Sequence, residues 1–560
     1  HMDNHGRVDL TKLDAALAIN TPDAYNPFCA GIMPCNEEQV LTSIYRNNTT
    51  ELMMVDFKMS NPNIYTLPAG DVGMLVGAEI RYESHDDARD PNVDGTVAYT
   101  PPALAGNQVT FPYISNISNS SPSPNTFGER TVSSVFVELQ VPLAENLYSQ
   151  IAVRAESADD YGDNVVGKFA LGYEPTSWLK VRASTNTSHK APNLIIVNEG
   201  LVVRNNSQED ALFTAALADW YEQLNQDDDD ENNQSDYPNY SFQRVAQGNP
   251  DLEAEESTNT SLGLVLTPTD NLVITIDKWE IAQEKTVGLF GERNHILYDT
   301  LLRLRGGPTE CTGNPNVIRF DYDDTSNDDP ESTGYTGAWD ESILCKAGTV
   351  QRVNDTYLNL DDRTLKGTDY VVEYFVDTNY GSVSAKLMRV QFDEFQQEAG
   401  GVLAEVIAAG QSGGLLDGLI ASAGYGDLLG TFDKRAYPET KDSMRLAWKH
   451  KRFDAFLTGT LIGSFEELGP DDDAINSDGM YVCSGTSEYE GGTCGSNWVV
   501  DSMLTLNLTL GYKFKSGLRL RGSIRNLEDE RAPLADEQTW GYVADVHSDY
   551  GRSYSIELYK

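Results

Sequence analysis

The chain has 560 residues, a formal net charge of −45 and a sequence pI of about 4.3. So acidic a surface repels phosphates, which excludes a nucleic-acid binder as a first reading. No run of about 18 apolar residues exists, so no transmembrane helix is indicated. The best stretch, residues 401–429, is broken by Glu405, Asp417 and several glycines. The mean hydropathy of −0.42 leaves a membrane β-barrel open, because only every second residue of a barrel strand faces lipid.

In chain order, residues 1–49 are expected to be the remnant of a loop. No signal peptide is visible, and the opening His1-Met2 fits a lost native N-terminus. From there on the hydrophobic period is two, not 3.6. Val135, Val137, Leu139 and Val141 alternate with Glu138 and Gln140. Leu262, Leu264 and Leu266 alternate with Asn259 and Ser261, and Tyr370, Val372, Tyr374 and Val376 with Asp369 and Glu373. Leu504, Leu506, Leu508, Leu510 and Tyr512 oppose Thr505, Asn507, Thr509 and Lys513. Next, Leu518, Leu520 and Ile524 oppose Arg519, Arg521, Ser523 and Arg525. This pattern predicts about 15 strands of roughly 10–14 residues, long for a soluble sheet but natural for a tilted barrel. Their spans are 50–59, 71–84, 129–141, 147–159, 163–173, 178–189, 254–266, 271–283, 363–376, 381–394, 437–449, 452–466, 499–513, 517–528 and 548–560.

Alternation alone cannot separate a soluble sandwich from a membrane barrel, but the connections can. Short turns at 142–146, 175–177, 267–270, 378–381 and 515–516 alternate with long connections at 85–128, 190–253, 284–362, 395–436, 467–498 and 529–547. A short connection near Asp160–Gly162 is the exception on the long side. Short turns at one end and long loops at the other describe an up-and-down outer-membrane barrel, with the long loops outside the cell. The six cysteines form local pairs, Cys29 with Cys35, Cys311 with Cys345 and Cys483 with Cys494, in turn-rich polar stretches on the long-loop side. Even number and spacing favour disulfides in an oxidising compartment over zinc, since no CxxC and no histidine cluster accompany them.

At this point the residues resemble a family. Ser134–Leu143, Val165–Tyr173, Trp178–Ala183 and His189–Leu194 are followed by Gly248-Asn-Pro-Asp-Leu-Glu-Ala-Glu-Glu-Ser257. Near the end stand Ile524–Glu530 and Gly551–Tyr559. In this order they resemble the barrel of TonB-dependent outer-membrane receptors, over roughly residues 50–560. The resemblance implies an all-β, transmembrane antiparallel barrel with about 15 of 22 strands present and long extracellular loops. Residues 50–560 would form its C-terminal part. It also implies a bacterial outer-membrane receptor that takes up a scarce nutrient, surrounded by outer-membrane lipid and lipopolysaccharide, and driven by the TonB complex through a plug. Neither a plug nor a TonB box is present, and the chain stops at Lys560 where the family's closing strand ends on an aromatic residue.

No catalytic constellation is visible, so an enzyme is not expected. The ligand is expected to be a neutral oligosaccharide or a peptide, because an acidic mouth repels anions. A ferric-siderophore receptor and a surface structural or adhesive barrel are the alternatives. Candidate ligand contacts are Trp220, Tyr221, Arg244, Trp339 and Trp540, all in predicted loops. Residues 205–243 hold no Lys or Arg, and residues 321–345 hold eight acids and no base. Such runs are solvated rims or Ca²⁺ sites, with Asp227, Asp229, Asp471 and Asp473 as the candidate ligands. The Asn249-Pro250 pair reads as a device that ends a loop and starts a strand. Arg519, Arg521 and Arg525 are expected to pair with acids of the lumen or plug.

Overall fold

A computed structural model describes the chain apart from residues 23, 30–34, 98, 100–114, 217–238, 321–344, 412, 417–425, 428, 430, 434, 437, 468–497 and 536–540. Fifteen strands form the wall: β1 (Leu41–Leu67), β2 (Gly70–Arg89), β3 (Thr126–Ala144), β4 (Leu147–Ala158), β5 (Gly162–Thr176), β6 (Leu179–Lys190), β7 (Glu255–Thr269), β8 (Leu272–Leu289), β9 (Val350–Thr378), β10 (Gly381–Ala399), β11 (Thr440–His450), β12 (Phe453–Ile462), β13 (Met503–Lys513), β14 (Arg519–Arg525) and β15 (Ser553–Tyr559). Each pairs antiparallel with its sequence neighbours, as an up-and-down meander requires.

Register turns the alternation of each strand into one continuous belt. Leu506, Gly459, Met444, Leu387, Val372, Ile274, Leu266 and Leu179 stand side by side across eight strands. A one-residue slip anywhere would put a polar face into the row. The apolar face is the outer one. The segment Leu194–Asn198 packs on the opposite face of β3, where a Cβ on Gly128 would lie 2.4 Å from the Asn198 side chain. There Arg130 donates to the Pro192 carbonyl at 2.6 Å. Outward side chains stay open to the surroundings: Val135 is 59% exposed, Leu387 50% and Leu510 53%. In a bilayer these positions meet acyl chains, the burial that water alone would not provide.

The inner face is polar and cross-linked. Arg182 bonds Asp277 at 2.8 Å, the Trp279 indole donates to Asp369 at 3.0 Å, and Arg519 reaches Asp454 at 2.7 Å. Arg521 approaches Glu557 at 3.9 Å, so two of the three arginines expected to find lumen acids do so within the wall. Among the described residues β1 and β15 are not paired with each other, and the sheet stays open there. Residues 48–66 and 553–559 are exposed on both faces.

Several boundaries differ from the sequence reading. β1 begins nine residues earlier than residue 50, at Leu41, because Met2–Val8 pairs with residues 41–46. Residues 1–49 thus carry a strand and the helix Leu10–Leu17, whose first turn is capped by Asp9 accepting from the Lys12 amide at 3.0 Å. β9 starts at Val350, not 363, because its first part leaves the wall and pairs with loop strands. Residues 401–410 form a helix, but a loop helix buried against other loops.

Candidate functional site

The functional end is the one with long connections. The described parts of three of them, within residues 191–254, 290–349 and 400–439, fold together into a cap. Val202–Glu209 pairs with Asn239–Gln247, which runs parallel to residues 352–356 of β9, while Val317–Arg319 pairs on the same strand. The helix Glu292–Gly306 is the hub. One side of it packs Leu297 and Leu301 with Phe290, Leu403, Val406 and Ala211. The other side packs Ile296 with Phe242, Val317 and Val353. Glu292 in its first turn and Arg303 and Arg305 in its last complement the helix dipole.

Two buried ion networks lock this cap. Arg319, whose side chain is 4% exposed, bridges Asp210 at 2.6 Å and Asp299 at 2.8 Å. Asp299 also takes Arg303 at 3.1 Å and the Asn314 amide at 2.8 Å. Burial pushes the Arg319 pKa down, but Asp210 and Asp299 outweigh it and hold the guanidinium charged. In the second network Asp355 is fully buried and receives Arg244 at 2.7 Å and the Gly291 amide at 3.1 Å. Burial pushes the Asp355 carboxyl up. The His295 ring 3.4 Å away and Arg244 more than offset this, leaving it below the usual carboxylate range.

The structure therefore commits Arg244, a candidate ligand contact, to Asp355 and to Glu292 at 3.1 Å, inside the cap. Trp220, Tyr221, Trp339, Trp540, Asp227, Asp229, Asp471, Asp473, Cys483 and Cys494 lie outside the described residues. Cys29 is bonded to Cys35, and Cys311 to Cys345, the pairings read from spacing. Among the described residues no group of three or more His, Cys, Asp or Glu is placed to hold a metal ion. The Asn249-Pro250 motif ties a loop down. Gly248 donates to the Glu199 carbonyl, Asn249 to that of Ile196, and the Asn249 side chain to that of Tyr357. A Cβ on Gly248 would fall 2.6 Å from the Glu199 nitrogen, so only glycine fits.

Sequence reasoning missed a cationic pocket at the inner rim. Arg7, Arg46, Arg89 and Arg204 line a cavity of about 400 Å³, with Asn4 and Ser121 among its other walls. Arg46 and Arg89 share the buried Asp87, at 2.7 and 2.8 Å. Arg7 donates to the Ser118 and Asn119 carbonyls at 3.0 and 3.2 Å. Glu199 is close enough to act on Arg46 electrostatically. Four guanidinium groups thus line a pocket whose walls hold no carboxylate; Asp87 pairs with Arg46 and Arg89, while Arg7 and Arg204 have no ion pair among the described residues. These arginines come from four separate segments, so no local motif announces them.

The family model described as "TonB dependent receptor-like, beta-barrel" matches residues 41–527. The chain belongs to this family. The siderophore receptor PirA of Acinetobacter baumannii shares the fold at a TM-score of 0.51 and 13% identity, over 92% of this chain and 55% of PirA. A mutant of the ferric enterobactin receptor PfeA of Pseudomonas aeruginosa, solved with enterobactin, gives 0.50 and 14%, over 93% and 55%. This TonB-dependent receptor barrel thus spans about half the length of the solved structures it resembles. No curated protein matches it in sequence. The family places the wall in the bacterial outer membrane, with its outward belt in the bilayer and its cap outside the cell.

Proposed function

We propose that this barrel serves nutrient uptake across the outer membrane, and that its ligand presents anionic oxygens to the pocket of Arg7, Arg46, Arg89 and Arg204. The pocket carries the reading. Guanidinium groups bind carboxylates, phosphates and phenolates through charge-assisted forks, and two of these four have charge to spare. The acid-rich composition favoured a neutral oligosaccharide or a peptide. A local excess of positive charge inside an acidic mouth moves the balance towards an anionic chelate of the siderophore class. In the whole protein a plug would occupy the lumen and couple to TonB, and further strands would cover the open edges of β1 and β15.

A panel of ligands tests this reading: an anionic ferric catecholate, a neutral ferric hydroxamate, a neutral oligosaccharide and a lysine-rich peptide. The anionic chelate is expected to bind tightest. Arg204→Gln with Arg46→Gln should weaken it by roughly 10–100-fold per lost charged hydrogen bond. Tightest binding of the oligosaccharide, unchanged in the variant, would return the ligand to the neutral class. We also propose that Ca²⁺ orders the acidic loops around Asp227, Asp229, Asp471 and Asp473. Loop proteolysis should then slow in calcium more than in sodium of equal ionic strength, and matching rates would reduce the loops to a solvated rim.

A further inference from the structure

The outward belt has one break. Register sets Leu461, Asp442, Arg389, Tyr370 and Ile276 side by side on the outer face, and two of these five are charged. Arg389 grips Asp442 with a fork: Nε to Oδ1 at 2.7 Å and Nη2 to Oδ2 at 2.7 Å. Its Nη1 has no partner among the described residues, and its side chain is 51% exposed. Towards the short turns the next outward row is apolar: Met444, Leu387, Val372 and Ile274. Towards the mouth it is polar: Thr440, Gln391, Thr368 and Lys278. Lys278 is exposed and has no ion pair among the described residues. Arg389 is eight residues from Gly381 at the turn. At about 3.3 Å per residue and a tilt of about 40°, that is roughly 20 Å up a band about 25 Å tall. The pair therefore stands at the outer boundary of the hydrocarbon.

Directly beside it lies a groove of about 390 Å³, lined by Tyr370, Val372, Leu387, Met444, Leu461 and Leu504. Gly459 makes its floor: a Cβ there would come within 2.9 Å of Leu506 and Met444. An apolar channel on the membrane side, with a spare guanidinium N–H at its outer end, matches a molecule with an acyl chain and an anionic head. A second copy of this chain would bring the same two cations against themselves.

We propose that this groove seats an acyl chain of a phosphorylated glycolipid of the outer leaflet, with its phosphate on Arg389 and Lys278. The proposal rests on the membrane reading of the wall. Asp442 orients the guanidinium so that Nη1 points away from the pair, and Gly459 supplies the depth. Lipids of the outer leaflet are selected over those of the inner one because the cation stands at the mouth end of the belt.

The test is native mass spectrometry of the 560-residue chain in detergent micelles. The probes are bisphosphorylated lipid A, its dephosphorylated form and phosphatidylglycerol. Bisphosphorylated lipid A should bind at least about tenfold tighter than either, the size of one or two charge-assisted contacts. Arg389→Gln with Asp442→Asn, which leaves no unpaired charge, should remove that preference. Lys278→Gln should reduce it, and Gly459→Leu should weaken every acylated probe by filling the groove. Equal binding of the three probes, or an unchanged preference in the double variant with the same thermal unfolding, overturns the proposal alone. Failure of the chain to enter micelles or liposomes overturns the membrane reading and this proposal with it.

Discussion

Wall and cap are built from one chain by opposite rules. In the wall, hydrophobic side chains point away from the enclosed space, and charges such as Arg182 and Asp277 point into it. In the cap the usual order returns, with Leu301 and Val406 fully buried and packed together. The wall leaves its apolar groups for lipid to cover, so its strands need only the right parity and register. The cap stands in water and must cover its own, so it needs three loops at once. The difference also governs charge: ion pairs in the lumen are partly solvated, while Arg319, Asp210 and Asp299 are sealed off.

Unbalancing the sealed network should have the largest effect. Arg319→Leu removes the one cation that bridges the buried Asp210 and Asp299, with Arg303 left to Asp299 alone, a loss of about 3–5 kcal/mol. Hydrogen exchange and proteolysis should show the cap opening across residues 290–320 and 400–410 while the wall keeps its amide protection. Loss of protection in β10–β13 at the same time would mean that wall and cap fold as one unit.

A smaller effect separates the two faces of the wall. Leu506→Arg, on the outer belt, should cost about 2–4 kcal/mol in liposomes. Thr505→Arg, one residue earlier and facing the lumen, should cost well under half of that. Equal costs from urea titrations of the two variants would contradict the assignment of faces.

The smallest predicted effect compares two rims by pH. His547 is buried and stacked on Phe465 at 5.7 Å, and neither ring nitrogen has a hydrogen-bond partner among the described residues. Burial pushes its pKa below the usual imidazole range. Its folded form is therefore neutral, and its contribution is complete above the unfolded pKa and lost as pH falls through the lower folded value. Exchange around residues 541–549 should be flat from pH 8 to about 7 and rise below about 6. Asp355 has its pKa lowered too, but from the carboxylate range. The cap should therefore hold until pH falls below about 4. His547→Phe should abolish the first step and leave the second. Both steps at the same pH would show that the two rims open together.

The wall was legible because its information is local. Leu504, Leu506, Leu508 and Leu510 declare their face through period two alone, and turn residues near Asp270 and Asn379 mark where each strand ends. Parity also told which sheet face is apolar, and spacing named the two described disulfides. Asn249-Pro250 was legible as a loop ending, though not the reason Gly248 must precede it, which is the backbone of residues 197–199 lying against it.

Contacts between distant segments were decided by the tertiary structure. Nothing around Arg244 says that its partner is Asp355, 111 residues away, and by sequence it remained as good a ligand contact as any loop arginine. Residues 350–356 do not alternate like a lipid-facing strand because cap strands, not lipid, flank them. The pocket of Arg7, Arg46, Arg89 and Arg204 exists only once four segments meet. The Arg389–Asp442 pair becomes meaningful only when register places both residues on the outer face. Periodicity reports the environment of one strand at a time. Charge neutrality, cavity shape and cap burial are properties of several strands and loops together, and only the assembled sheet determines them.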